Sequence, residues 1–380
     1  MEKNLRTQVA TICNLEFKAV FNIISLLFEK DYSIAFIARY RKEEISSLNE
    51  EDIRKIKETY LYLKDLDNIR KRYLKVIDEH HKEKKISNEK YSLLKKEFAN
   101  ANNKQKLEDL YLPFKAKRKT RADSARSLGF DHILELILKN KDENISVEKI
   151  TETFLQTDKK YLNTSIETAL QGAADILAEN INENTDCREE ARNFCKNTGF
   201  LLAKDIHKET HEKTILAKYQ NYLNHREKLD TIPAHRIMLL RRAESEALIR
   251  IVVEIQEQEA VSLVFNAFIK NKSHTTATKK WISTVCIDSF KRLMFPSLET
   301  EIKLQLKKFA ESEAIRVFSK NLEKLLLLPA TPNAIVCGID PGFKNGLKIA
   351  VVDATGKVIT TTTLFPNLNN PKSSSSIQSI

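Results

Sequence analysis

The sequence predicts a mainly α protein: a multi-helical N-terminal body followed by a short β meander at the C-terminal end. Glycine and proline are scarce over most of the chain. Only Gly129, Gly172 and Gly199 fall in the first 337 of 380 residues, so few turns are obligatory there. Apolar residues in that stretch recur every three or four positions, which keeps them on one face of a helix. After Pro332 the pattern changes. Gly338, Gly342, Gly346 and Gly356 crowd together, and the apolar runs become short and β-branched.

The elements follow in order. The apolar run at 19–28 is too short to span a bilayer and is broken by Asn22 and Ser25. Ile53, Ile56, Tyr60, Leu63, Leu66, Ile69, Tyr73 and Val76 mark a long helix, with Ser47-Leu48-Asn49-Glu50 as its capping-box start. A second helix is expected over 90–98. Residues 113–129 read as a basic turn segment. Helices then resume over 132–139, 164–183, 187–195, 244–257, 281–294 and 298–328, the last stopped by Pro329. Strands are expected over 334–339, 347–352 and 358–365, with Ala354-Thr355-Gly356-Lys357 as a hairpin turn. The expected organisation is a helical domain over 1–195, its helical continuation over 196–331, a strand region over 332–366 and a disordered tail over 367–380.

Composition narrows the function. A hydrophobic share of 42% excludes wholesale disorder. Lys and Arg total 63 against 52 Asp and Glu, a net charge of +11. That surplus suits a polyanionic partner, and equally a solvated Lys-rich surface. Glu2, Glu16 and Lys18 break any signal-peptide pattern. Cys13, Cys187, Cys195, Cys286 and Cys337 form no C-x-x-C pair, which suits buried thiols in a reduced cytoplasmic protein.

Two clusters are candidate nucleic-acid contacts. Lys115, Lys117, Arg118, Lys119 and Arg121 place five cations within seven residues. Such density is self-repulsive and asks for phosphate. Tyr111 and Phe114 precede it, either to stack on bases or to anchor the turn to the helical core. Arg39, Arg41 and Lys42 form the second cluster. There Phe36 and Ile37 are expected to pack inward, and a surface ion pair of Arg39 with Glu43 stands as an equal alternative to phosphate contact. No cofactor, metal or small-molecule site is expected. Asp340 is a lone carboxylate, which cannot hold the paired cations of phosphodiester hydrolysis, and Asp353 belongs to a turn. His207 and His211 lack a zincin pattern, and His80-His81 reads as exposed.

Three segments carry a resemblance. They are Phe36-Ile37-Ala38-Arg39-Tyr40-Arg41-Lys42-Glu43, then Leu107-Glu108-Asp109-Leu110-Tyr111-Leu112-Pro113-Phe114-Lys115, and Gly338-Ile339-Asp340-Pro341-Gly342-Phe343 with Lys348 to Lys357. Shorter echoes include Ile232-Pro233-Ala234-His235-Arg236 and Glu313-Ala314-Ile315-Arg316-Val317-Phe318. Together they resemble the Tex family of transcription accessory proteins. The resemblance implies helical domains with helix-turn-helix-like elements, then a YqgF domain of RuvC-like, ribonuclease H-like fold. It also implies RNA or DNA as partner, contact with transcription machinery and no catalysis. Asp340 is where an active RuvC-like nuclease would place its first-strand acid. On this resemblance the chain is expected to match the N-terminal half of the family and to stop within the YqgF domain. The alternatives are a helical scaffold that docks on transcription machinery or on a separate C-terminal half, and a ribonuclease H-like nuclease.

Overall fold

The computed structural model describes residues 2–46, 48–84, 86–115, 118–157, 161, 164–206, 218–270, 272–328, 333–342 and 346–365. The first hydrophobic core is built by α1 (Glu2–Cys13), α2 (Phe17–Phe28), α3 (Ile34–Tyr40), α4 (Glu50–Lys82), α5 (Asn88–Asn100) and α6 (Lys104–Tyr111). Polar side chains start α3 to α6. Ser33, Ser87 and Asn103 accept from backbone amides at the starts of α3, α5 and α6. The capping box of α4 uses Asn49 with Asp52 rather than starting at Ser47, because Asp52 stands at the third helical position and reaches back to the Asn49 amide. The predicted stripe is buried through Ile53, Ile56, Tyr60, Leu63 and Leu66, against Ile23, Ile37, Phe98 and Leu107. Arg70 donates to the carbonyls of Phe98 and Ala101, both at 2.9 Å, and so satisfies the end of α5. Among the described residues no single helix is long and apolar enough to cross a membrane.

A second core follows. It is built by α7 (Arg121–Ser127), α8 (Asp131–Lys139), α9 (Val147–Leu155), α10 (Ile166–Glu183), α11 (Thr185–Thr198), and, after an intervening sheet, α13 (Glu257–Ile269), α14 (Thr276–Asp288) and α15 (Phe295–Leu326). The expected turn segment is therefore partly helical. Thr120 and Asp123 form a capping box that starts α7, and Ala122 and Ala125 bury its inner face. Gly129, at φ +85°, turns the chain from α7 into α8. Gly172 of α10 lies so close to Phe130 that an added Cβ would be 2.4 Å from Cδ2. Ser289–Met294, between α14 and α15, is π-helical, and the buried Ser289 hydroxyl donates to the Ala178 carbonyl at 2.6 Å. Burial pushes the thiols of Cys187 and Cys286 up to about 12 and that of Cys195 up to about 11.

Between α11 and α13 the sequence reading is corrected. Residues 244–257 are not a helix, and an antiparallel sheet of order β2-β1-β3 stands here: β1 (Phe200–Asp205), β2 (Arg226–Lys228) and β3 (Ile249–Glu254). Helix α12 (Ala234–Ser245) ends when the Leu248 amide donates back to Ala243, with Ala247 at φ +58°. That closure is usually made by glycine, so its absence hid the stop. Ile249, Ile251 and Val253 then alternate inward with exposed Arg250 and Glu254. β3 is an edge strand, yet two of its outward amides are occupied. Ile251 donates to Glu244 and Val253 to Glu299, each at 3.0 Å.

The chain divides into two units, Met1–Lys308 and Phe309–Ile380, with the division inside α15. In the second unit β4 (Val336–Asp340), β5 (Leu347–Val352) and β6 (Val358–Leu364) form the predicted antiparallel meander. β4 is exposed at every position and β6 at all but Leu364. Cys337 is exposed, unlike the other four thiols, because β4 has no buried face. The expected tail at 367–380 lies outside the described residues.

Candidate nucleic-acid interface

The first core closes with Leu110, Tyr111 and Phe114, and the second opens with Ala122. The basic segment is thus the connector between two cores. Tyr111 stacks on Tyr73 with ring centres 3.9 Å apart and planes 2° apart, and Phe114 meets His80 edge-on at 5.7 Å. Both rings anchor the connector to α4. His80 and His81 are half-buried by such contacts rather than exposed, with His81 stacked on Tyr91 at 4.0 Å.

Lys115, Arg118, Lys119 and Arg121 are all exposed. Among the described residues none of the four makes an ion pair with a carboxylate. Lys117 lies outside the described residues, as do His207 and His211. The capping box occupies two amides at the start of α7. The Asp123 amide donates to Thr120 Oγ1 at 3.0 Å, and the Thr120 amide donates to the Asp123 carboxylate at 2.9 Å. That backbone hydrogen bond, with the Thr120 hydroxyl, lowers the pKa of Asp123.

Beneath the connector lies a buried ionic network. Asp109 of α6 accepts from Arg188 Nε at 2.8 Å and from Arg192 Nη2 at 2.7 Å, both on α11. Glu301 of α15 accepts from Arg192 Nε at 2.8 Å and from Gln105 at 3.1 Å. Arg188 also donates to Asn182 and Ser297. Burial opposes the charge on Arg192, but its hydrogen bonds to Glu301 and Asp109 outweigh this and raise its pKa. Lys115 overhangs a cavity of about 270 Å³ whose floor is these carboxylates and guanidiniums, with Tyr73 and Tyr111 at its side. In the sequence Asp109 stands out only as part of the 107–115 motif. The available signal was Arg188 and Arg192, four apart on the same helical face as Cys195.

The second cluster sits at the end of α3. Ile37 is fully buried, but Phe36 is not packed inward. The ion pair is Arg41 with Glu44 at 3.4 Å, not Arg39 with Glu43, because the helix ends at Tyr40 and a 3-10 turn over Lys42–Glu44 redirects the acids. Arg39 and Lys42 are exposed. In the second unit, Asp340 ends β4 opposite Lys348, and Asp353 accepts from the amides of Thr355 and Lys357 within its turn. Among the described residues no group of three or more His, Cys, Asp or Glu side chains is placed to hold a metal ion.

Comparison with known proteins finds three family descriptions along the chain, in order. Residues 3–78 match the Tex-like protein N-terminal domain, 142–318 the Tex central region and 334–380 the Tex protein YqgF-like domain. The last match runs past Pro366 to the final residue. Protein tex of Bordetella pertussis is 32% identical over 371 residues, covering 94% of this chain and 45% of that protein. Transcriptional accessory protein Tex of Neisseria gonorrhoeae is 30% identical over 90% of this chain and 44% of its own length. The human S1 RNA-binding domain-containing protein 1 is 29% identical over 93% of this chain and 35% of its own length. The chain spans about half the length of the curated bacterial relatives it matches.

Proposed function

This chain belongs to the Tex family of transcription accessory proteins, and from that premise we propose that it binds RNA or DNA without catalysis in the cytoplasm. The observation that carries the reading is the connector: four exposed cations, Lys115, Arg118, Lys119 and Arg121, with no carboxylate partner among the described residues. Like charges close in sequence and without carboxylate partners gain most from a phosphate backbone, which releases counterions as it docks. Such contacts position the polymer and carry no sequence readout. Non-catalysis rests on Asp340 standing opposite a lysine in register, without companion acids on β5 or β6.

Fluorescence anisotropy over a salt series tests this. Wild type should bind oligonucleotides with a steep salt dependence. The combined Arg118→Ala, Lys119→Ala and Arg121→Ala variant should bind roughly tenfold or more weakly, and its log–log salt slope should fall by about 2 to 3. An unchanged slope would remove the connector from the interface.

A second reading is favoured by the second unit. Phe309, Ile315, Phe318, Leu325 and Leu326 are each at least half exposed along α15, more apolar surface than a solvated helix usually carries. A polypeptide corresponding to the unmatched part of the longer relatives would cover it. Co-expression with that part and capture should recover a complex, and Phe318→Asp should abolish it. Separate elution of the two chains would count against the reading.

A further inference from the structure

Helix α3 presents its aromatic residues to solvent. Phe36 and Tyr40 lie one turn apart with ring centres 5.1 Å apart, and the half-buried Tyr32, ahead of the helix cap and packed on the first core, brings its ring centre within 4.8 Å of Phe36. Tyr40 is 62% exposed and Phe36 37%, while Ile37 between them is fully buried. The helix thus spends its one deep position on an aliphatic side chain and leaves adjacent rings outside. Exposed large rings side by side mark a contact surface. Cations frame them. The Arg39 guanidinium lies 5.6 Å from the Tyr40 ring centre, and Arg41 lies 5.6 Å from that of Tyr32. Arg41 is neutralised by Glu44, but neither Arg39 nor Lys42 has an ion-pair partner among the described residues. Asp31 and Glu43 are the acidic neighbours in sequence, and neither pairs with them.

We propose that this ladder is a base-stacking site: an unpaired base stacks on Tyr40 and Phe36 while Arg39 and Lys42 hold the flanking phosphates. It is separate from the connector and rests on the nucleic-acid reading above. The partner chemistry follows from the mixture of groups. An apolar peptide covering the rings would strip water from two unpaired cations with nothing in exchange. A duplex keeps its base faces within its own stack, so it has phosphates to offer and no ring. A single strand offers both.

The test uses the full chain with a single-stranded oligonucleotide carrying a fluorescent base analogue, beside the same sequence as duplex. Stacking should quench the analogue on binding. Tyr40→Ala should abolish the quenching and weaken single-strand binding by about five- to a hundredfold, leaving the salt slope and duplex binding unchanged. Tyr40→Phe should retain both quenching and affinity. Single-strand binding unaffected by Tyr40→Ala, or an equal loss for duplex, would overturn the stacking site while leaving the connector in place. Wild-type protein that binds neither form would overturn the nucleic-acid reading itself.

Discussion

Asp109→Ala should destabilise the Met1–Lys308 unit by about 3–5 kcal/mol. Asp109 is 6% exposed and its partners Arg188 and Arg192 are 6% and 7% exposed. Removing the carboxylate leaves two buried guanidiniums with one anion, Glu301, between them. Arg192 keeps that partner, but Arg188 is left with the neutral acceptors Asn182 and Ser297. An uncompensated buried charge costs more than the intact pair contributed, so the variant measures the penalty rather than the worth of the bridge. Asp109→Asn should lose less, because its amide oxygen still accepts one hydrogen bond. Urea unfolding checks both, and a loss below about 1 kcal/mol for the alanine variant would mean that water reaches the network. The variant should also broaden the transition. Asp109 stands on a helix of the first core, while its arginines and Glu301 stand on helices of the second. Weakening the link should let the two cores melt at different denaturant concentrations.

Gly172→Val should cost about 3 kcal/mol, for a steric reason. Glycine inside a helix is worth about 1 kcal/mol less than alanine, so propensity alone favours a substitution. Geometry opposes it. A Cβ at 172 would sit 2.4 Å from Phe130 Cδ2, 3.1 Å from its Cε2 and 3.2 Å from the Ala125 Cβ. Phe130 is 2% exposed in the second core and its ring has no solvent to retreat into. Valine adds two methyls to that clash, whereas alanine sets a smaller clash against its propensity gain and should lose less. Denaturant midpoints for Gly172→Val, Phe130→Ala and the double variant would show the coupling. The second change should recover part of the first, and simple additivity would place the strain elsewhere.

What could be read from the sequence was what is local. The stripe from Ile53 to Leu66 declared α4, since one face of one helix carries it. The C-terminal strands declared themselves by β-branched runs between glycines. Cation density at 115–121 is likewise a local fact, and so was legible as a candidate site. The β1–β3 sheet was missed because glycine scarcity was read as absence of turns, yet Asn224 and Ala247 take positive φ without glycine's help. The Asp109 network was illegible for another reason. Its ion pairs join residues 79, 83 and 109 positions apart, and no periodicity encodes a contact of that range.

The occupied edge of β3 also decides how the sheet can meet other chains. An incoming strand extends a sheet by taking up its outermost amides and carbonyls. On β3 the Ile251 and Val253 amides already serve Glu244 and Glu299, so a newcomer would have to displace two carboxylates held by flanking helices. At the opposite edge β2 spans only three residues, Arg226–Lys228, too short a template for stable pairing. Edge-to-edge growth is therefore disfavoured at both sides of this sheet.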